Sequence, residues 1–236
     1  MFPDQQNEHD NWFPLESNPD VINPYIQNLG FDTSKYQWVD LMSTEDWAQE
    51  MLPKPCVAVV FLFPITENTI KYDQEEEKKQ QQVDAKVYFM KQFARNACGT
   101  VGVMHAMLNM IEQHPELAKK DSILEKFYAQ TSTMTPEQRG NYFLQCKELK
   151  HQHCEAVEQG QAQMQEDVNT HFVCFIEKNG HIYELDGRKK SPVNHGNSNS
   201  ENFLKDACIL AKKLMERDPQ QVNFTILALC KAEQQI

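Results

Sequence analysis

Thr170 to Gly187 reads THFVCFIEKNGHIYELDG, two β-branched and apolar runs on either side of Asn179-Gly180. An Asn-Gly pair readily supplies the two positive φ angles of a tight hairpin turn, so the stretch predicts two antiparallel strands. With Asn179-Gly180 as the turn, Lys178 faces His181 and His171 lies diagonally across from Asp186. With Lys178-Asn179 as the turn, His171 lies directly opposite Asp186. Both registers put imidazole and carboxylate side by side on one face, whereas a three-residue loop separates them. The plainer uses of these two residues are a solvated hairpin histidine and an aspartate that only serves the Asp186-Gly187 turn.

The rest of the sheet is read from the same kind of signal. Cys56 to Thr66, CVAVVFLFPIT, is β-branched and aromatic without alternation, as expected of a central strand covered on both faces. Tyr36–Leu41 predicts a short strand and Phe224–Cys230 (FTILALC) a last one. Helices are expected over 19–29, between the Asn18-Pro19 cap and Gly30, with Pro24 as an interruption that moves the start toward Asn23. Further helices are expected from Ser43–Asp46, over Cys98–Ile111, over Leu117–Tyr128, from the capping box Thr135-Pro136-Glu137-Gln138 to about residue 149, and over the amphipathic stretch ended by Pro219. Residues 71–86 are charged and glutamine-rich, a solvated helix or loose connection. Residues 150–169 are polar and aperiodic, the pattern of a working loop or a disordered one. The expectation is one α/β domain over 1–236, with a central, mostly antiparallel sheet flanked by helices.

Charge and composition exclude several classes of function. Thirty-four acidic against 23 basic side chains give a net charge of −11, which disfavours nucleic acid and anionic lipid and suits a basic partner. No basic start precedes an apolar segment, and the run Cys56–Phe63 is far short of the ~20 residues that span a bilayer. Seven cysteines lack the paired spacing of a disulfide framework or zinc ribbon, so reduced thiols in the cytoplasm or nucleus are expected.

One of those thiols is differently placed. If Asn96 caps the helix of residues 98–111, Cys98 lies in its first turn, where unpaired N–H groups and the helix dipole favour a thiolate. Arg95 adds positive charge nearby. The same N–H groups suit the oxyanion formed when a thiolate attacks a carbonyl. A helix-start cysteine is also commonly a small core residue. The His171–Asp186 pair changes the balance, since a carboxylate that orients a histidine that serves a thiolate is the arrangement of covalent hydrolysis. His151, His153 and Cys154 form a cluster without a second half-site for a metal, and His105 reads as a helix-packing residue. With no glycine-rich phosphate loop, neither metal nor organic cofactor is expected.

The segments WFPLESNPDV (12–21), LFPITE (62–67), YFMKQ (88–92), NACGT (96–100) and HFVCFIEKNGHIYELDGRKKSPVNHG (171–196) resemble the ubiquitin carboxyl-terminal hydrolase family of cysteine deubiquitinases. The resemblance runs from near residue 12 to near residue 231 and is closest to the short isozymes that consist of the catalytic domain alone. It implies a papain-like fold with a knotted backbone. It also implies Cys98 as nucleophile, His171 as general base, Asp186 as its orienter and Gln92 as a side-chain donor to the oxyanion. The polar stretch of about 150–169 becomes the loop that crosses over the active site and limits leaving-group size. Ubiquitin, with its basic tail, becomes the partner, contacted at Leu15, Glu16, Asp20, Asp40 and Val222. Phe93-Ala94-Arg95 departs from the family's usual threonine-isoleucine-small sequence before Asn-Ala-Cys. The implied function is hydrolysis of the bond after ubiquitin's last glycine by a monomer. Its rivals are action on a ubiquitin-like modifier and a ubiquitin-binding module with an idle site.

Overall fold

The computed structural model describes residues 12–79, 81–160 and 169–233. Its strands are β1 (Tyr36–Asp40), β2 (Cys56–Pro64), β3 (Thr170–Lys178), β4 (His181–Leu185), β5 (Val193–Asn197) and β6 (Thr225–Lys231). They form one six-stranded sheet in the order β1-β6-β2-β3-β4-β5, and each ladder between neighbours is antiparallel. β2 lies inside the sheet, which explains why its sequence does not alternate in polarity. Ala58 and Val60 join one apolar cluster while Val59, Phe61 and Phe63 join another on the opposite side.

Helices cover both faces. The larger cluster holds α1 (Pro19–Leu29), α4 (Cys98–Gln113), α5 (Ile123–Thr131), α6 (Pro136–Gln145) and α7 (Lys147–Gln159). The smaller holds α2 (Asp46–Glu50) and α8 (Phe203–Met215). α3 (Glu67–Glu76) follows β2 and is largely solvated. α8 buries Phe203, Leu204, Ala207, Cys208, Ala211 and Leu214, spaced three and four apart, and each large member contributes about 1.5–3 kcal/mol by leaving water. Among the described residues no helix is long and apolar enough to cross a membrane.

Local chemistry sets the helix ends. Asn18 caps α1 by accepting from the Asp20 amide at 2.9 Å, and Gly30 ends it at φ 102°. A Cβ on Gly30 would lie 2.2 Å from Cβ of Ser122, so only glycine fits. α1 runs unbroken through Pro24, contrary to the predicted interruption: the buried Val21, Ile22, Tyr25 and Ile26 outweigh one lost backbone bond. Asn23 instead ties α1 to β1, exchanging two hydrogen bonds with the Trp38 backbone.

Three other expectations need correction. The single helix over Leu117–Tyr128 is a 3-10 turn, Pro115–Leu117, followed by α5, because Asp121 turns the chain at φ 60° and Ser122 caps anew. The helix opened by the Thr135 capping box stops at Gln145, where Cys146 leaves helical geometry. Residues 150–159 are not loop but the body of α7, which buries Leu149, His153, Ala156 and Val157. That stripe is narrow and one of its members is a histidine, so it escapes an apolar count. The remainder of the expected crossover segment, 161–168, lies outside the described residues.

Candidate active site

The hairpin adopts the first of the two registers. Lys178 pairs with His181 and Cys174 with Leu185, and Asn179 and Gly180 take φ 48° and 84° as the turn residues. His171, paired with Phe63 near the end of the β2–β3 ladder, therefore reaches diagonally to Asp186, just beyond β4. Its Nε2 lies 2.7 Å from Asp186 Oδ1, and both residues are 3% exposed. The Phe63 ring meets the imidazole edge-on. Asp186 also serves its own turn: Oδ1 accepts from the Arg188 amide at 2.9 Å, and the Lys189 amide donates to the Asp186 carbonyl at 2.9 Å. The catalytic-type contact and the plain turn role coexist in one residue.

Cys98 opens α4 on the other side of the imidazole. Asn96 does not cap this helix, contrary to expectation. It takes the left-handed region at φ 60°, and Ala97 occupies the cap position without a side-chain hydrogen bond. A side-chain oxygen in that place would consume the N–H groups that an incoming oxyanion needs. Burial pushes the Cys98 thiol up, but the hydrogen bond and charge of His171 and a backbone hydrogen bond from Phe172 outweigh it, so the thiol is held below its ordinary value. Burial likewise works against the His171 imidazolium. The charge and hydrogen bond of Asp186, and then those of Cys98, reverse it and raise the group to about 9. Asp186 stays ionised despite burial because His171, Lys189 and the Arg188 amide all favour its charged form. Thiol, imidazole and carboxylate thus meet in one buried corner, each favouring the charged form of the next, the order of groups used in covalent hydrolysis.

Gln92 is brought to the same corner. Its amide donates to the Gly187 carbonyl at 2.8 Å, next to Asp186. A Cβ on Gly187 would lie 2.8 Å from Cβ of Gln92, so a glycine there lets the two segments touch. The Gln92 side chain is buried; Nε2 donates to the Ala94 carbonyl at 3.0 Å, leaving its second N–H for another acceptor.

The outlying residues divide. Leu15 is not a surface contact: it is 2% exposed, and a Cβ on Gly99 would come within 3.0 Å of Cβ of Leu15, so it packs under the start of α4 as core. Its neighbour Trp12 stacks on Phe143, which draws the whole 12–15 segment inward. Glu16 is half-buried and accepts from Asn18 Nδ2 at 3.1 Å. Asp20 and Asp40 are exposed, and partial burial together with the Asp20 charge raises the Asp40 carboxyl. Val222 is 83% exposed. Strand directions place Asp40, Val222 and His171 toward one end of the sheet, because Asp40 and Val60 both pair with Leu227 and Val60 also pairs with Cys174.

The His151, His153 and Cys154 cluster does not converge. His153 is buried, with Nδ1 2.8 Å from Thr100 Oγ1 and Nε2 2.8 Å from the Phe13 carbonyl, while His151 lies on the surface beside Glu155. Among the described residues no three His, Cys, Asp or Glu side chains gather as a metal cage. All seven cysteines are free thiols. Sequence reasoning missed the buried ion pair of Glu184 and Lys189 beside Asp186, and the His195 side chain that meets Glu184, because their contacts come from strands and loops brought together only by the fold.

Comparison with known proteins identifies the family and the fold. Residues 12–216 match the family described as Ubiquitin carboxyl-terminal hydrolase, family 1. The chain is 40% identical over 223 residues to Ubiquitin carboxyl-terminal hydrolase 3 of Arabidopsis thaliana, covering 93% of this chain and 94% of that one. It is 38% identical over 222 residues to Ubiquitin carboxyl-terminal hydrolase isozyme L1 of Homo sapiens, covering 93% and 98%. In fold it is similar to the Trichinella spiralis UCH37 catalytic domain, solved bound to ubiquitin vinyl methyl ester. The TM-score is 0.74 at 23% identity, with 97% of each chain covered.

Proposed function

The chain belongs to the ubiquitin carboxyl-terminal hydrolase family, and we propose that Cys98, His171, Asp186 and Gln92 carry its reaction. It is a thiol-dependent hydrolase that cleaves after the carboxyl-terminal glycine of ubiquitin. The observation that carries the assignment is the continuous contact from Cys98 through His171 to Asp186.

The Cys98 thiolate attacks the glycine carbonyl carbon, forming a C–S bond as the carbonyl electrons move onto oxygen. The Cys98 N–H and the second N–H of the Gln92 side chain stabilise that oxyanion, worth about 10²–10³ in rate per donor. The oxyanion collapses, the C–N bond breaks, and the His171 imidazolium gives its proton to the departing amine. Neutral His171, steadied by Asp186, then takes a proton from water as it attacks the thioester, and Cys98 leaves again as thiolate. The free carboxylate of ubiquitin is the product.

Small adducts and short peptides are the leaving groups, and the single domain of 1–236 acts as a monomer in the cytoplasm and nucleus, a setting that free thiols support. Glu16, Asp20, Asp40 and Val222 form the recognition surface; the three carboxylates suit a basic tail.

Release of a fluorogenic amine from the carboxyl terminus of ubiquitin tests this reading. Wild type turns over and Cys98→Ala does not, while both bind ubiquitin. Turnover only on a ubiquitin-like protein, or tight binding of ubiquitin without turnover by the wild type, overturns it.

A further inference from the structure

Asp186 is held in place from behind as well as by His171. Three residues on, Lys189 turns its ammonium inward until it is 5% exposed, and pairs with Glu184 of β4 and, at 3.4 Å, with Asp73 Oδ1 of α3. Its own amide closes the Asp186 turn. The second oxygen of Glu184 lies 2.9 Å from His195 Nε2 of β5. Asp73 is gripped in turn by Arg217, beyond α8, at 3.2 Å. From the opposite side the Lys91 ammonium donates to the Arg188 and Lys189 carbonyls. A four-residue turn is thereby tied to β4, β5, α3 and the end of α8.

A buried ion cluster of this kind is weak support for stability, since well-packed apolar residues often do as well or better. What it provides is a fixed position for charge. Burial opposes the Lys189 ammonium, yet Glu184, Asp73 and Asp186 hold it above its usual range. Lys189 in turn is one of the charges that keep Asp186 ionised. The orienter carries a hydrogen bond whose direction sets the imidazole, and an error of about 1 Å in such a group can cost about 10²-fold in rate.

We propose that Lys189 is a positioning residue for the hydrolysis: clamped between Glu184 and Asp73, it fixes the turn of residues 186–189 and supplies a second cation behind Asp186. This rests on the assignment of Asp186 as the orienter of His171. Besides the cluster, the titratable groups facing this corner are His171 from β3, Cys98 and His105 from α4, and Lys91 from the segment before it.

The test is kcat, KM and the pH profile of ubiquitin-amine hydrolysis for wild type, K189R, K189M and the double variant E184Q/K189M, with Cys98→Ala as control. K189M strands the Glu184 carboxylate with His195 alone; the double variant removes carboxylate and cation together, so a folded protein without the cation is obtained. The expected result is a kcat lowered between about 10- and 100-fold in the variants without the ammonium, with KM unchanged. The acid limb moves to higher pH, because loss of a nearby cation lets Asp186 and Cys98 bind protons more readily. K189R returns the limb to its wild-type place. Wild-type kcat and an unmoved limb in a folded variant lacking the ammonium, with the change confined to Tm, overturn the proposal. An inactive wild type, or one indifferent to Cys98→Ala, overturns the catalytic assignment instead.

Discussion

Two of the buried histidines, His105 and His171, behave in opposite ways. His105, inside α4, is 0% exposed, stacks on Phe89 and meets the Met90 backbone through Nε2. Burial is the largest influence on it and lowers it to about 4, so it is a neutral packing group. His171 is 3% exposed and is also packed against a phenylalanine, yet it is raised to about 9. The difference is the carboxylate of Asp186 at 2.7 Å and the thiol on the other side. Burial alone neutralises an imidazole; the same burial beside a fixed anion favours the imidazolium, which in turn lowers the neighbouring thiol.

The comparison breaks most sharply if Asp186 loses its charge. Asp186→Asn gives His171 an environment like that of His105, and kcat/KM is expected to fall about 10²–10⁴-fold, the range for general acid–base catalysis. Steady-state kinetics on ubiquitin-amine substrate measures it. A smaller effect appears in stability against pH. Between about 6.5 and about 9 the folded protein keeps a proton on His171 that the unfolded chain releases, a contribution that fades as pH rises through that window and that the lowered Cys98 thiol offsets with the opposite sign. His105 has the reverse sign: between about 4 and 6.5 the unfolded chain takes a proton that the folded one refuses, so stability rises with pH there. Denaturant unfolding of the Cys98→Ala protein, which removes the thiol's offset, separates the two windows, and adding Asp186→Asn flattens the first.

His105→Phe has the smallest expected effect. It keeps the stack on Phe89 but leaves the Met90 amide without its acceptor, which costs about 1–3 kcal/mol of stability. The acid-side slope of stability diminishes and turnover is unchanged, as urea titration and the amine-release assay measure.

Much of this corner is legible in the sequence because short-range rules govern it. Asn179-Gly180 admits few turns, and once a two-residue turn is chosen the strand period puts His171 and Asp186 on one face. The unbroken apolar character of Cys56–Pro64 gives a two-sided strand for the same reason. The misreadings occur where a local signal is overridden by packing. α7 hides because His153 occupies a core position by hydrogen-bonding to Thr100 and the Phe13 carbonyl, a partner 140 residues away in sequence. Leu15 becomes core only because Trp12 and Gly99 draw its segment inward. Asn96 has the right residue type for a cap one position too early, and takes a left-handed turn instead. Lys189 lies in a run of three basic residues, Arg188 to Lys190, that looks solvated, and its burial depends on carboxylates from two other elements.

The claim that Asp186 sustains a Cys98 thiolate through His171 is tested most directly by the pH dependence of alkylation of Cys98 by iodoacetamide, followed by peptide mass spectrometry so that the other six cysteines are counted apart. Wild-type protein is predicted to react at Cys98 with a pH profile that lies at lower pH than that of an ordinary thiol. The Asp186→Asn variant is predicted to react only as an ordinary thiol does, in alkaline solution. Coincident profiles for the two proteins would contradict the account.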